Sequence, residues 1–186
     1  TISCALEAPG LVRRHVPLRG DSYTVFRAGE VHGRVTQRIQ EVADMLSVID
    51  SAKVTKNLWG ERWSKLVINS SHNGLSAATG LGGNGMTKDD AIRKVSIRMA
   101  AETIQVAQAL GFTIENRKGK TADQWVAAAN GDAKELQEIE ALNLADTKNR
   151  KDGAMPSMGQ DMMKARKTEI HAINGYVVEK GREMGI

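Results

Sequence analysis

Cysteine, proline and aromatic residues are all scarce in this chain of 186 residues, and the shortages are informative. The single cysteine, Cys4, rules out an internal disulfide and any cysteine-rich zinc site, and it suits a reducing cytoplasm. Aromatic residues make up only 4%, too few for the base-stacking platforms of a single-strand nucleic-acid binder. Neither sign of charge dominates: 26 Lys+Arg against 22 Asp+Glu leave a net +4, so nucleic acid is not an expected partner. The uncharged stretch Leu66 to Met86 contains three Asn, His72 and several Ser and Gly, which would be costly in lipid. It reads as a buried segment of a soluble protein, and no membrane association is expected. The four His are scattered without metal-ligand spacing, and no Gly-x-Ser-x-Gly elbow occurs, so neither a metal site nor a serine hydrolase is expected. Thr1 is followed by no basic n-region and no apolar h-region, which excludes a signal peptide from the expectations.

Hydrophobic residues at 41% are enough for a real core. The length fits one domain, or one domain plus a piece of another, at roughly 150 residues per domain. Residues 1–31 read as strands. Arg13 to Leu18, a Gly20-Asp21-Ser22 turn and Tyr23 to Phe26 predict a β-hairpin, with Gly29 and Gly33 marking its exit. The pattern then becomes helical. Val35, Ile39, Val42, Leu46 and Ile49 predict one helix face, and a second helix is expected from about Leu58 to Thr79. Thr87-x-x-Asp90 predicts the cap of a third helix that runs to Leu110, where Gly111 is the stop. Shorter helices are expected around Trp125 and over Leu136–Leu144, broken at Asn130-Gly131 and followed by a charged loop from Asp146 to Asp152. The last helix is expected to be continuous from Ser157 to about Glu183. The expected fold class is therefore mainly α, preceded by a short β segment. A lone hairpin is marginal, so residues 1–31 are expected to be the tail of a larger N-terminal domain, and 32–186 a helical domain.

Several constellations could carry chemistry. Gly80-Leu81-Gly82-Gly83-Asn84-Gly85 satisfies a dinucleotide fingerprint on paper, but that mechanism needs a preceding strand and a helix precedes it, so a helix–helix connection is expected. Asn69-Ser70-Ser71 is formally a glycosylation sequon inside a helix and is set aside. At about 100° per residue, Lys65, Asn69, His72, Asn73 and Ser76 share one arc, opposite Trp59, Trp63, Leu66, Val67, Ile68 and Leu75. One cation followed by uncharged donors suits an inward-facing site for a small polar substrate; the alternative is an exposed lysine with Asn residues satisfying backbone. In the last helix, Met158, Met162, Ala165, Ile173 and Tyr176 form an apolar face from which Glu169 projects, a carboxylate that must be ion-paired, hydrogen-bonded or functional. Ser157-x-x-Gln160 reads as a capping box, although a helix start is also a seat for a carboxylate ligand, and Asp161 lies one turn on, where it could orient Ser157.

The order Leu58-Trp59 through Trp63-Ser64-Lys65-Leu66, Asn69, Asn73, then Ser157-Met158-Gly159-Gln160-Asp161, Thr168-Glu169-Ile170 and Ile173-Asn174-Gly175 resembles the ketopantoate reductase (2-dehydropantoate 2-reductase) family over nearly the whole chain. The resemblance implies a helical domain like the C-terminal domain of 6-phosphogluconate dehydrogenase, preceded by the last strands of a Rossmann-type nucleotide-binding domain. It implies NADPH-dependent reduction of ketopantoate to pantoate, for pantothenate and coenzyme A synthesis, in the cytoplasm. By the same resemblance Lys65 is the general acid, and Asn69, Asn73 and Ser157 hold the substrate. Glu169 contacts the cofactor, as does Leu6 through its backbone, and Asp161 supports the site. The family's further loop Asn falls at Gly83, and Asn84 takes its place as a substrate-binding residue with a one-residue shift. A small 2-keto acid is the implied partner, and a homodimer through the helical domain is compatible. The alternatives are a paralogous 2-keto acid or opine-type reductase, or a non-catalytic helical dimerisation module.

Overall fold

The structure is a computed structural model and describes residues 4–8, 10–14, 24–149 and 153–186. The chain divides into two compact units, Thr1–Glu61 and Arg62–Ile186. The expected boundary after residue 31 lies inside the first unit.

In the first unit β1 (Cys4–Ala8) pairs antiparallel with β2 (Leu11–Arg14), with Leu6 opposite Val12 and the register slipping between Leu6 and Ala8. Gly10 turns the corner at φ 76°, a conformation glycine adopts without strain. The hairpin thus lies earlier than its expected place over 13–26, and the expected turn at 20–22 falls outside the described residues. Phe26 sits instead in β3 (Phe26–Ala28), which pairs in parallel with β4 (Ala52–Val54). Parallel strands need a crossover, here α1 (Gln37–Ser47). A partner 26 residues downstream is invisible to a hairpin pattern. Ile39, Ala43 and Leu46 of α1 meet Ala28, Ala52 and Val54. Val35, Val42 and Ile49, expected on that face, are exposed. Val42 is turned about 60° from Ile39 on the helical wheel and so falls on the shoulder, while Val35 and Ile49 lie outside the helix. Thr36 caps α1 by accepting from the Ile39 amide. Its hydroxyl donates to Glu30, a buried carboxylate also clasped by Arg38 at 2.5 Å. That guanidinium holds the Glu30 carboxyl below its usual range.

The second unit is helical. It begins within α2 (Leu58–Thr79) and continues through α3 (Gly83–Lys88), α4 (Asp90–Ala109), α5 (Ala122–Ala129), α6 (Ala133–Asp146), a 3-10 turn (Thr147–Asn149), α7 (Ser157–Met163), a π-helical turn (His171–Gly175) and α8 (Tyr176–Met184). Its core joins Trp63 and Val67 of α2 with Ile97, Ala100, Ile104 and Ala107 of α4, Trp125 of α5, Ile139 of α6 and Val177 of α8. The small residues on α4 let its neighbours approach closely, and a buried bond between Ser70 and Thr103 hydroxyls, 2.8 Å long, ties α2 to α4. Asp89, rather than Thr87, caps α4 by accepting from the Ile92 amide. Thr87 is already inside α3 and donates to the Gly83 carbonyl. Gly111 (φ 83°) ends α4 and Gly131 (φ 102°) separates α5 from α6, both as expected. No helix among the described residues is long and apolar enough to cross a membrane.

The continuous final helix does not form. Ala165 takes the left-handed conformation (φ 51°), and the Arg166 amide reaches back to the Asp161 carbonyl at 2.8 Å, closing α7. Residues after the break leave the angular register of α7, so the single apolar stripe dissolves. Met158 and Ile173 are buried, whereas Met162, Ala165, Tyr176 and Glu169 are exposed.

Candidate functional site

Asn57 starts α2 by accepting from the Gly60 amide through Oδ1. The polar arc of this helix passes from solvent into the protein. Lys65 is exposed and makes no hydrogen bond or ion pair among the described residues; Asn69 is half-buried; Asn73 and Ser76 are buried. The inward-facing reading of the arc fits its C-terminal half, and the alternative of an exposed lysine fits its start. About 12 Å of helix rise separates Lys65 from Asn73. On the opposite side Trp63 and Val67 are buried, but Trp59 and Ile68 are exposed.

What shelters Asn73 is α7. The Asn73 Nδ2 donates to Ser157 Oγ at 3.4 Å, across 84 residues of sequence. The capping box expected at Ser157 is absent. Ser157 is the first residue inside the helix, Pro156 holds the cap position, and Gln160 turns its amide to the Met155 carbonyl at 2.9 Å. A residue with helical φ and ψ cannot bend its own hydroxyl onto the N3 amide, so Ser157 Oγ is left for Asn73. Two residues further along α7 and three along α2, Gly159 comes close to the Ser76 side chain. A β-carbon on Gly159 would stand 2.4 Å from Ser76 Oγ, so only glycine permits this crossing. Asp161 is partly buried, and its carboxylate makes no bond to Ser157.

Glu169 is exposed, and its carboxylate has no partner among the described residues. Its backbone is fixed: its carbonyl accepts from the amides of Ala172 and Ile173, both at 3.0 Å. Asn174, in the π-turn that follows, donates Nδ2 to the Ser70 carbonyl of α2 at 2.9 Å. The sequence flagged Asn174-Gly175 without giving it a role. The pattern Asn-Gly was legible there, but the π-turn that aims Asn174 at α2 was not.

Asn84 is buried and its amide lies 3.4 Å from the Thr147 carbonyl, so it braces the junction of α3 with the 3-10 turn. The Gly80–Gly85 run is a helix–helix connection, as expected: Gly82 caps α3 and the Gly83 amide donates to the Ala154 carbonyl at 2.9 Å. Leu6 lies in β1 of the first unit.

The ionic networks of the second unit serve packing. Buried Arg93 links α4 to Glu140 of α6 at 3.0 Å and to Asp90 at 2.5 Å. Lys120 binds Glu135 at 2.7 Å and also Glu138, which raises the lysine and lowers Glu135 from their ordinary pKa values. A crevice beside His72, Met86, Thr87, Arg93, Ser96 and Asn143 has about 10 Å³, the room for one water. The Lys65–Asn73 arc is therefore exposed at Lys65 and buried at Asn73, where the exposed Ser157 meets it.

The family model described as ketopantoate reductase PanE/ApbA C terminal matches residues 57–186. The chain belongs to the ketopantoate reductase family. A 2-dehydropantoate 2-reductase of Archaeoglobus fulgidus is 26% identical over 173 residues, 92% of this chain and 50% of that protein. The structure of a 2-dehydropantoate 2-reductase from Geobacter metallireducens has a TM-score of 0.63 at 28% identity, covering 86% of this chain and 48% of that one. A D-mandelate dehydrogenase solved with NADH and anilino(oxo)acetate has a TM-score of 0.71 at 21% identity, over 98% and 52%. The chain thus spans about half the length of these members and relatives, and its helical part has the fold of the ketopantoate reductase C-terminal domain.

Proposed function

We propose that the Lys65–Asn69–Asn73–Ser157 wall binds a small 2-keto acid in an NADPH-dependent 2-dehydropantoate 2-reductase, the enzyme that makes pantoate for pantothenate and coenzyme A. The observation that carries this reading is the Asn73–Ser157 contact at 3.4 Å, which brings two separate motifs to one place in line with Lys65. The donor set suits the substrate. Reduction at the keto carbon builds negative charge on its oxygen, and an ammonium stabilises that charge and then gives up the proton. Lys65 is the unpaired cation on this arc. Asn69, Asn73 and Ser157 offer neutral donors to the substrate carboxylate and hydroxyl. Asn84, whose amide reaches the Thr147 carbonyl, is a further substrate-binding residue in this reading, and Asp161 is a supporting one.

The cofactor, when bound, supplies a hydride. In this reading the exposed Glu169 carboxylate and the Leu6 backbone are the groups of this chain that meet it. The parallel β3–α1–β4 unit is the last part of the nucleotide-binding domain, which extends the β segment of residues 1–31 through β4. A cytoplasmic homodimer joined through the helical domain completes the proposal.

A second reading, reduction of a different 2-keto acid, draws on the D-mandelate dehydrogenase likeness in fold. Incubating the full-length protein with NADPH and a panel of 2-keto acids decides between the two. Turnover of ketopantoate above all others is expected. Turnover of another acid alone would select the paralogue, and full activity of Lys65→Ala would leave the helical part as a non-catalytic module of the enzyme.

A further inference from the structure

The geometry points to Asn174 as a positioning residue that sets where Glu169 stands relative to the polar arc of α2; this rests on the functional reading given above. Glu169 is exposed and its side chain makes no hydrogen bond or ion pair with a described residue, so its place is set chiefly by the backbone. That backbone lies just ahead of the π-turn, where the Glu169 carbonyl accepts from the Ala172 and Ile173 amides at 3.0 Å each. The turn is in turn pinned to α2 by the 2.9 Å bond from Asn174 Nδ2 to the Ser70 carbonyl. Ser70 lies between Asn69 and Asn73, and its own hydroxyl is locked to Thr103 of α4 at 2.8 Å, so the anchor belongs to the rigid core. Gly74 makes the approach feasible: a β-carbon there would stand 3.2 Å from Asn174 Oδ1 and 3.4 Å from Ile170 Cδ1. Asn174 Oδ1 itself is buried with no hydrogen-bond partner among the described residues. An unsatisfied buried oxygen is costly, and a π-turn, here leading into α8, is a rare departure from α-helical bonding. Both features persist where the turn meets α2, beside the polar arc, which is the pattern expected when placement of a neighbouring group matters more than local stability.

The test is a double-mutant cycle in the full-length protein between Asn174→Ala and Glu169→Gln, read by kinetics, by calorimetric NADPH binding, and by hydrogen exchange without ligand. If Asn174 acts through Glu169, Asn174→Ala lowers kcat/KM and weakens NADPH binding by roughly tenfold in the wild-type background, the worth of one lost hydrogen bond. In the Glu169→Gln background it changes them less than about twofold, because the group being positioned is gone. Without ligand, the Ala172 and Ile173 amides exchange faster in Asn174→Ala while those of α5 do not. Gly74→Ala, which crowds the same contact and leaves Asn174 in place, reproduces the pattern. Equal losses in both Glu169 backgrounds, unchanged NADPH affinity, or unfolding of both Asn174→Ala and Gly74→Ala would overturn the inference alone. An inert Glu169→Gln would overturn the functional reading and the inference with it.

Discussion

The crossing of α7 over α2 invites a direct test through Gly159→Ala. The new methyl would lie 2.4 Å from Ser76 Oγ, 2.8 Å from Met155 Cγ and 3.0 Å from Met155 Sδ. Met155 can swing aside. Ser76 is buried, and its hydroxyl is held by the Leu81 carbonyl at 2.8 Å, so the helices must part by several tenths of an ångström. Overpacking of this kind costs about 1–3 kcal/mol, against which alanine returns about 0.8–1 kcal/mol of helix propensity. The net loss expected is about 0–2 kcal/mol, or a fall in Tm of up to roughly 8 °C for a chain of this size. Thermal melts followed by circular dichroism measure it. Ser76→Ala alone loses a hydrogen bond and costs about 1 kcal/mol. Combined with Gly159→Ala it also removes the clash, so the pair should be coupled favourably by about 1–2 kcal/mol. A Tm that rises in Gly159→Ala, as propensity alone dictates, or strict additivity in the double variant, would refute the close crossing and with it the reason Ser157 meets Asn73.

Other outcomes follow from the same structure. Lys65→Ala should leave the melt unchanged within about 0.5 kcal/mol, because the side chain is exposed and unpaired, while kcat of the full-length enzyme falls by roughly 10²-fold or more; steady-state kinetics and a melt side by side check both halves. Ser157→Ala and Asn73→Ala should each raise KM for the 2-keto acid, with a non-additive double variant, since they share one contact. Trp125→Ala should cost about 3–5 kcal/mol by denaturant unfolding, because the ring is fully buried under the Arg117 guanidinium, 4.4 Å from its centre. Lys120 lowers the Glu135 carboxyl below its ordinary 4.5, so that contribution to stability is present above 4.5 and is lost as pH falls through the depressed folded value. Glu135→Gln should therefore show a shallower loss of Tm on acidification than the wild type, and an identical acid limb would contradict the pairing.

Much was legible in the residue order because it is governed by local physics. Helical periodicity located α2 to the residue, and Gly111 and Asn130-Gly131 marked helix ends because left-handed backbone is cheap for glycine. The motif order carried the family, and the arc of Lys65, Asn69, Asn73 and Ser76 follows from 3.6 residues per turn. What failed depended on partners far away in sequence. The parallel pairing of Phe26 with Ala52 has no local signature, so β3 was read into a hairpin. The segment from Met162 to Lys167 has good helix propensity, yet Ala165 breaks it, and the break decides that Glu169 faces outward instead of into the core. The sequence could not show that the arc is sheltered at one end only, because burial is a property of what packs on top. That was decided by Gly159 and Ser76, whose missing and small side chains let two helices 84 residues apart come close enough for one serine to meet one asparagine.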